Sequence, residues 1–128
     1  MLDEHHRNLR ERAKRVHRLP AAERHKARVA AKKLRYAAEF FAPMFPSKRA
    51  AAYVAALSRL QSALGRLNDL EVATRIIDEL VPRGASDAAA AHAGGVVRGW
   101  LAASVGAELK RLRDVQRAFR KCPPFWNA

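Results

Sequence analysis

The sequence has one cysteine, few aromatic residues and no long apolar run. Cys122 has no partner for an internal disulfide, which is compatible with a reducing compartment. The longest apolar stretches are interrupted by glycine, His92 or Arg98, so none approaches the roughly 20 residues that span a bilayer. The N-terminus is charged over its first 18 residues and lacks the apolar core of a secretory signal. We therefore expect a cytoplasmic chain with no membrane partner.

Acidic residues are also scarce, because Lys and Arg outnumber Asp and Glu by 25 to 12 and give a net charge of +13. The excess is uneven: residues 1–49 hold 14 basic and 5 acidic residues. An excess of this size bears on partners and solubility and not on the fold. Four of the five histidines fall in the same third, so we expect its surface to become more positive below about pH 6.5: His5, His6, His17 and His25.

Helical periodicity runs through the whole chain, and no segment has the alternation of a strand. Residues 3–18 predict a short, charged helix. A second helix is predicted from about Pro20, which suits a first turn, to Phe41, since Pro43 and Pro46 forbid its continuation.

A long third helix is predicted after an N-cap at Ser47, with a kink or brief interruption near Gly65 or Asn68. Its apolar seam is Tyr53, Leu57, Leu60, Leu64, Leu67, Thr74, Ile77 and Val81. A last helix is predicted from a cap at Ser86 to Pro123. Its buried stripe is Val97, Leu101, Val105, Leu109, Leu112 and Phe119. The chain is thus predicted to be one all-α domain, 1–128, an up-down four-helix bundle with one long helix.

The second predicted helix is basic on one side and apolar on the other. His25, Arg28, Lys32 and Arg35 fall within a sector of roughly 80° on the helical wheel. The opposite side carries Ala27, Ala30, Leu34, Ala38 and Phe41. Like charges in a row repel one another unless an anion lies against them, so the stripe predicts a polyanion track. The alternative is a solvated face in which Glu39 pairs with Arg35.

A second basic stripe is predicted on the first helix, from His6, Arg10, Lys14 and His17 at spacings of 4, 4 and 3. With the adjacent Arg18, it predicts a secondary basic surface of Arg10, Lys14, His17 and Arg18. An ordinary exposed helix face is the alternative interpretation. The aromatic residues Tyr36, Trp100 and Trp126 are predicted to pack in the core.

Two motifs, in order and about 24 residues apart, resemble a known family. They are His25-x-x-Arg28-x-x-x-Lys32-Lys33-Leu34-Arg35-Tyr36 and Leu60-Gln61-x-x-Leu64-Gly65-x-Leu67-Asn68-Asp69. Together with the closing Pro124-Phe125-Trp126, they resemble the C-terminal repeat of the CHAD domain, the conserved histidine α-helical domain.

The resemblance implies an all-helical domain that binds inorganic polyphosphate, with no catalytic residue and no cofactor. By that resemblance its polyphosphate-binding residues would be His25, Arg28, Lys32, Lys33 and Arg35, and the adjacent Lys26 is predicted to join them. The usual domain of that family has two related bundles, whereas this chain matches one. The chain is therefore expected to be either a fragment or one half of a homodimer that rebuilds the two-bundle domain.

Three further expectations concern the chemistry. Gln61, Asn68 and Asp69 are predicted to orient cations of the second helix rather than to contact a ligand. No His pair has a third ligand at a suitable spacing, so no metal site is predicted. Two other functions stay open: non-specific binding of nucleic acid by charge, and a histidine phosphotransfer bundle in which His25 accepts the phosphoryl group.

Overall fold

Four antiparallel helices follow one another along the chain in the computed structural model, which describes residues 1–127. They are α1 (Leu2–Ala13), α2 (Ala21–Phe41), α3 (Ser47–Leu80) and α4 (Ala88–Lys121). No strand occurs in these residues. The predicted all-α, up-down bundle is confirmed, and α4 has the same length as the long α3, 34 residues each. None of these helices has an apolar stretch of the length needed to cross a bilayer.

The first helix is shorter than predicted. It ends at Ala13, and Arg15 then takes a left-handed backbone conformation with φ of 49°. A 3-10 turn, Val16–Arg18, follows before Pro20 leads into α2. The left-handed residue changes the direction of the chain, which lets Val16 reach the core, where it is fully buried.

Both predicted serine caps are wrong. Ser47 is the first helical residue of α3 after Pro46. The cap of α4 is Asp87, whose Oδ1 accepts hydrogen bonds from the amides of Ala89 at 3.0 Å and Ala90 at 3.4 Å. A carboxylate at this position also complements the positive end of the helix dipole.

α3 is continuous, so the interruption predicted near Gly65 and Asn68 does not occur. Burial of its apolar seam against two neighbouring helices outweighs the helix propensity lost at such residues, about 1 kcal/mol for a glycine. The sharp bend comes after α3, where Gly84 has a φ of +82° that side chains other than glycine rarely adopt. Helices α3 and α4 therefore form one long antiparallel pair.

The core lies where α1, α2 and the first part of α3 meet the last part of α4. From α2 it takes Ala27, Ala30, Ala31, Leu34 and Ala38, all buried. From α3 it takes Ala50, Tyr53, Ala56, Leu57, Leu60, Ala63, Leu64 and Leu67. The small alanines on α2 allow its backbone to lie close to α3, and this packing fixes the rotation of α2 about its axis.

Aromatic rings close the end of the bundle where the chain termini meet. Tyr53 contacts Phe119, Phe125 and Trp126, with ring centroids 5.2–5.5 Å apart. The indole Nε1 of Trp126 donates to Asp3 Oδ1 at 2.7 Å. Packing of Trp126 was predicted and is confirmed, since it lies against the core. Burial raises the pKa of Tyr53, so its hydroxyl keeps its proton.

His6 lies inside this aromatic cluster. The sequence had suggested that it belongs to an exposed basic stripe, and that prediction is wrong. Its Nδ1 is 2.8 Å from the Tyr53 hydroxyl, within hydrogen-bonding distance. Burial, and to a lesser degree Arg10, lowers the pKa of His6, while Asp3 opposes the shift. The expectation that this histidine adds positive charge near pH 6.5 is therefore wrong, because the folded protein resists its protonation.

The buried His6 predicts that acid destabilises the fold. Its pKa is lower in the folded than in the unfolded chain, so the unfolded chain binds more protons below about pH 6.5. The free energy of unfolding should fall as the pH drops below that value. Urea titrations at about pH 7.5 and about pH 5.5 measure this change. In His6→Gln the decrease in the free energy of unfolding between these two pH values should be smaller. An equal decrease in both proteins would show that His6 is not the source of the acid sensitivity.

The α3–α4 pair continues past the ends of α1 and α2. Arg24, near the start of α2, binds Glu71 of α3. This end of α2 therefore lies level with Glu71, and α3 extends beyond it to Leu80. We call residues 72–103 the distal hairpin. None of its residues belongs to the main core, and its Trp100, predicted to be buried, is 65% exposed. That prediction is wrong because nothing in the described part of the chain packs over this segment.

Candidate functional site

α2 lies between α1 and α3 and presents its remaining face outward. Full burial of Ala27, Ala31, Leu34 and Ala38 turns the predicted basic side to the surface. The resulting cationic ridge contains His25, Lys26, Arg28, Lys32, Lys33 and Arg35. The helix therefore holds these six side chains along about 15 Å of one rigid element.

On the α1 side, the ridge borders a groove of about 190 Å³. Its polar lining comes from Asn8 and Arg12 of α1 and from His25, Lys26 and Lys33 of α2. Arg12 Nε donates to Asn8 Oδ1 at 2.9 Å, which holds the guanidinium beside the groove. Sequence reasoning missed Arg12, because the side of α1 that faces α2 follows from helix packing and not from the charge pattern of α1 alone.

On the α3 side, side chains of α3 hold two arginines of α2. Arg35 donates from Nη1 to Gln61 Oε1 at 3.2 Å and from Nε to Glu39 Oε1 at 2.9 Å. The predicted role of Gln61 is thereby confirmed, and so is the Glu39–Arg35 pair that the alternative interpretation of a solvated face had predicted. Arg24 binds Glu71 and the Leu19 carbonyl, and its burial lowers its pKa.

The two other residues predicted to orient cations differ from each other. Asn68 lines a small crevice together with His25, Arg28 and Glu71. Asp69 is exposed, and no hydrogen bond or ion pair of its side chain occurs in residues 1–127. Asn68 thus lies beside the ridge, whereas nothing in the structure gives Asp69 a role there.

The ridge cations divide by whether a carboxylate neutralises them. Lys26 pairs with Glu23 at 3.2 Å and Arg35 with Glu39 at 2.9 Å. Within residues 1–127 the other four have no such ion pair: His25, Arg28, Lys32 and Lys33. We call these four the open cations. Arg28, Lys32 and Lys33 therefore leave unbalanced positive charge on a surface that is accessible to a ligand.

An aromatic ring lies next to the open cations. Tyr36, predicted to be a packing residue, is 59% exposed. Lys32 Nζ lies 5.9 Å from the centroid of its ring, at the limit of a cation–π contact. The packing prediction is wrong because Tyr36 falls on the outward face of α2, in line with Lys32 one turn earlier.

The residues of the predicted secondary basic surface do not form one stripe. Arg10 and Lys14 line a cleft of about 330 Å³ between α1 and α4, which Arg7, Gln116 and Arg120 also line. Lys14 lies 3.4 Å from Glu11, an exposed pair of little energetic weight. The α4 cation Arg120 was missed, since the last helix had been assigned by its buried stripe alone.

His17 and Arg18 lie apart from that cleft, on the 3-10 turn. Arg18 is exposed, whereas His17 is half-buried. Burial, followed by Arg18, Arg113 and Arg117, lowers the pKa of His17. This imidazole therefore adds less positive charge near pH 6.5 than the sequence suggested.

The comparisons with known proteins give one match. A sequence model of the CHAD domain matches residues 1–78, which contain α1, α2 and all but the last two residues of α3. The match includes every residue of the cationic ridge. No curated protein matches the chain, and no solved structure does. Among residues 1–127, no three His, Cys, Asp or Glu side chains are grouped as a metal ion would require.

Proposed function

Since the chain belongs to the CHAD domain family, we propose that it binds inorganic polyphosphate along the cationic ridge of α2. The resemblance of the two sequence motifs to that family associates the ridge with this ligand. The structure adds a physical reason that does not depend on the resemblance. The observation that carries the proposal is the row of open cations on a helix whose rotation is fixed by the core.

The open cations suit phosphate oxygens in complementary ways. The guanidinium of Arg28 donates hydrogen bonds in a planar fork that matches two oxygens of one phosphate. Lys32 and Lys33 have flexible stems and act as mobile point charges. A polymer of phosphates offers anionic oxygens at many positions, so side chains of both kinds find partners along it.

The shape of the site favours a polymer over a single small anion. The ridge is an outward helix face and not an enclosed cavity, and the groove on its α1 side holds about 190 Å³. A lone phosphate on such a face keeps most of its hydration and gains few contacts. A chain of phosphates lying along α2 contacts several cations at once. The polymer loses its translational freedom only once, so each further contact adds to the binding free energy without that cost.

Tyr36 supports a second candidate, a single strand of nucleic acid. An exposed ring beside Lys32 is the combination of stacking surface and cation that single-strand binders use. A stacked base contributes about 1–3 kcal/mol, whereas polyphosphate has no ring to stack. Tyr36→Ala therefore separates the two ligands.

Competition at about 150 mM salt tests the proposal, since counterion release weakens non-specific binding under these conditions. Polyphosphate should displace labelled single-stranded DNA, single-stranded RNA and duplex DNA when concentrations are compared per unit charge. Tyr36→Ala should leave polyphosphate binding unchanged. Retention of a nucleic acid against excess polyphosphate, with affinity lost in Tyr36→Ala, would establish the second candidate instead.

A further inference from the structure

The distal hairpin exposes an unusual amount of apolar surface. Ten large apolar side chains are exposed in the described residues, and half of them lie in this segment. They are Ile76, Leu80, Val96, Val97 and Trp100. Single exposed apolar residues are common on protein surfaces, but a group on one short segment marks an interaction site.

These side chains share one side of the hairpin. Ile76 and Leu80 are one helical turn apart on α3, and Val96 and Trp100 are one turn apart on α4. Arg98 bonds to Asp78 and to the Val81 carbonyl, which fixes the contact faces of the two helices. On a helical wheel viewed from the N-terminus of each helix, Ile76 and Leu80 are rotated away from the α3–α4 contact in the same direction as Val96 and Trp100. Because the two helices are antiparallel, equal rotations place both pairs on the same side of the hairpin.

The two helices are packed closely enough to act as one rigid surface. A Cβ added at Gly94 would lie 2.9 Å from Cγ1 of Val81, the residue that follows α3, so the Val81 side chain packs directly on the backbone of α4. Leu101 is buried between the helices, although it lies outside the main core. The exposed apolar side chains therefore stand on a preformed support.

The charge of the hairpin favours association with a second copy. Residues 72–103 carry three arginines and three acidic residues, so this segment is neutral in a chain of net charge +13. Two copies repel each other least when they meet through neutral ends and keep their basic bodies apart. A phosphate polymer finds no cationic excess on this face, and a membrane-surface helix would be rich in lysine or arginine.

The area of this face suits a small dimer interface. The α4 part of the hairpin is about 24 Å long, the α3 part, residues 72–80, is about 13 Å long, and each helix is about 10 Å wide. The footprint is roughly 400 Å², and projecting side chains such as Leu80 and Trp100 enlarge the accessible area toward the roughly 600 Å² per partner at which standard interfaces begin. We propose that two copies join through this face and form a four-helix bundle from their distal hairpins, with Trp100 at its centre.

Light scattering of the full chain tests this proposal. At about 50 μM the wild-type chain should have close to twice its monomer mass of 14.3 kDa, since even a dissociation constant of about 1 μM, the weak end for specific interfaces, leaves most chains paired at that concentration. Trp100→Glu should be monomeric, because a dimer would then bury two carboxylates near each other. Val96→Glu should have the same effect. These side chains are exposed, so both variants should keep their helical circular dichroism.

Phe40→Glu is the matched control, because Phe40 is 76% exposed on α2, away from the hairpin, and the change in charge is the same. It should remain a dimer. A monomeric wild-type chain, or Trp100→Glu with unchanged dimer mass, would overturn the proposal. Polyphosphate binding by the Trp100→Glu monomer, measured per chain, distinguishes failure of the dimer from failure of the proposed function.

Discussion

Replacing Arg28, Lys32 and Lys33 together by alanine is expected to weaken polyphosphate binding on the order of 100-fold or more, since a charge-assisted hydrogen bond contributes about 1.5 kcal/mol or more. These are the open cations apart from His25. Isothermal titration calorimetry with polyphosphate of defined length measures the change. Because the three side chains lie on the outer face of α2, the variant should keep its stability.

The control for this experiment removes the same charge elsewhere. Lys110, Arg111 and Lys121 are exposed, lie on α4 away from α2 and outside the distal hairpin, and match the ridge residues in type. Replacing these three residues by alanine should weaken polyphosphate binding only a few-fold, because only the long-range attraction to the net positive charge is reduced. Added salt should suppress this long-range attraction in both triple variants. Equal weakening by the two triple variants would show that net charge, and not the ridge, binds the polymer.

Phe119→Ala is expected to lower the free energy of unfolding by about 3–5 kcal/mol, the usual effect of truncating a buried phenylalanine. Phe119 is fully enclosed near the end of α4 and contacts both His6 and Tyr53. Its removal leaves a cavity between elements from the two ends of the chain. Chemical denaturation followed by circular dichroism measures the difference.

This prediction also tests the part of the chain that the CHAD model does not match, since Phe119 lies beyond residue 78. Phe40→Ala is the control, because the exposed Phe40 should change the stability by less than about 0.5 kcal/mol. If Phe119→Ala were equally mild, α4 would not be part of the same cooperative core. Two unfolding transitions in the wild type would give the same answer independently.

The sequence predicted well those features that depend on one helix at a time. The rotation of α2 follows from Ala27, Leu34 and Ala38, whose spacing allows only one face to be buried. The bond between Arg35 and Glu39 follows from a spacing of four residues on an exposed face. Both features are determined by the spacing of residues within one helix, and the packing of the helices against one another leaves them unchanged.

Features that depend on contacts between helices were predicted poorly. His6 and Trp100 exchanged roles: the charged stripe suggested an exposed His6, and the apolar stripe suggested a buried Trp100. Trp100 is exposed because α1 and α2 end before the distal hairpin begins, whereas His6 is buried because its ring packs against Tyr53 and Phe119. Arg12 belongs to the groove for a similar reason, since only the pairing of α1 with α2 brings it beside Lys33.

The unbroken course of α3 gives the molecule a mechanical property. Gln61, which holds Arg35, and Ile76, on the distal hairpin, are 15 residues apart on one helix, a separation of about 22 Å. One unbroken helix keeps this separation constant, because its length is set by its number of residues. The proposed polyphosphate site and the proposed dimer face are therefore held at a fixed distance from each other.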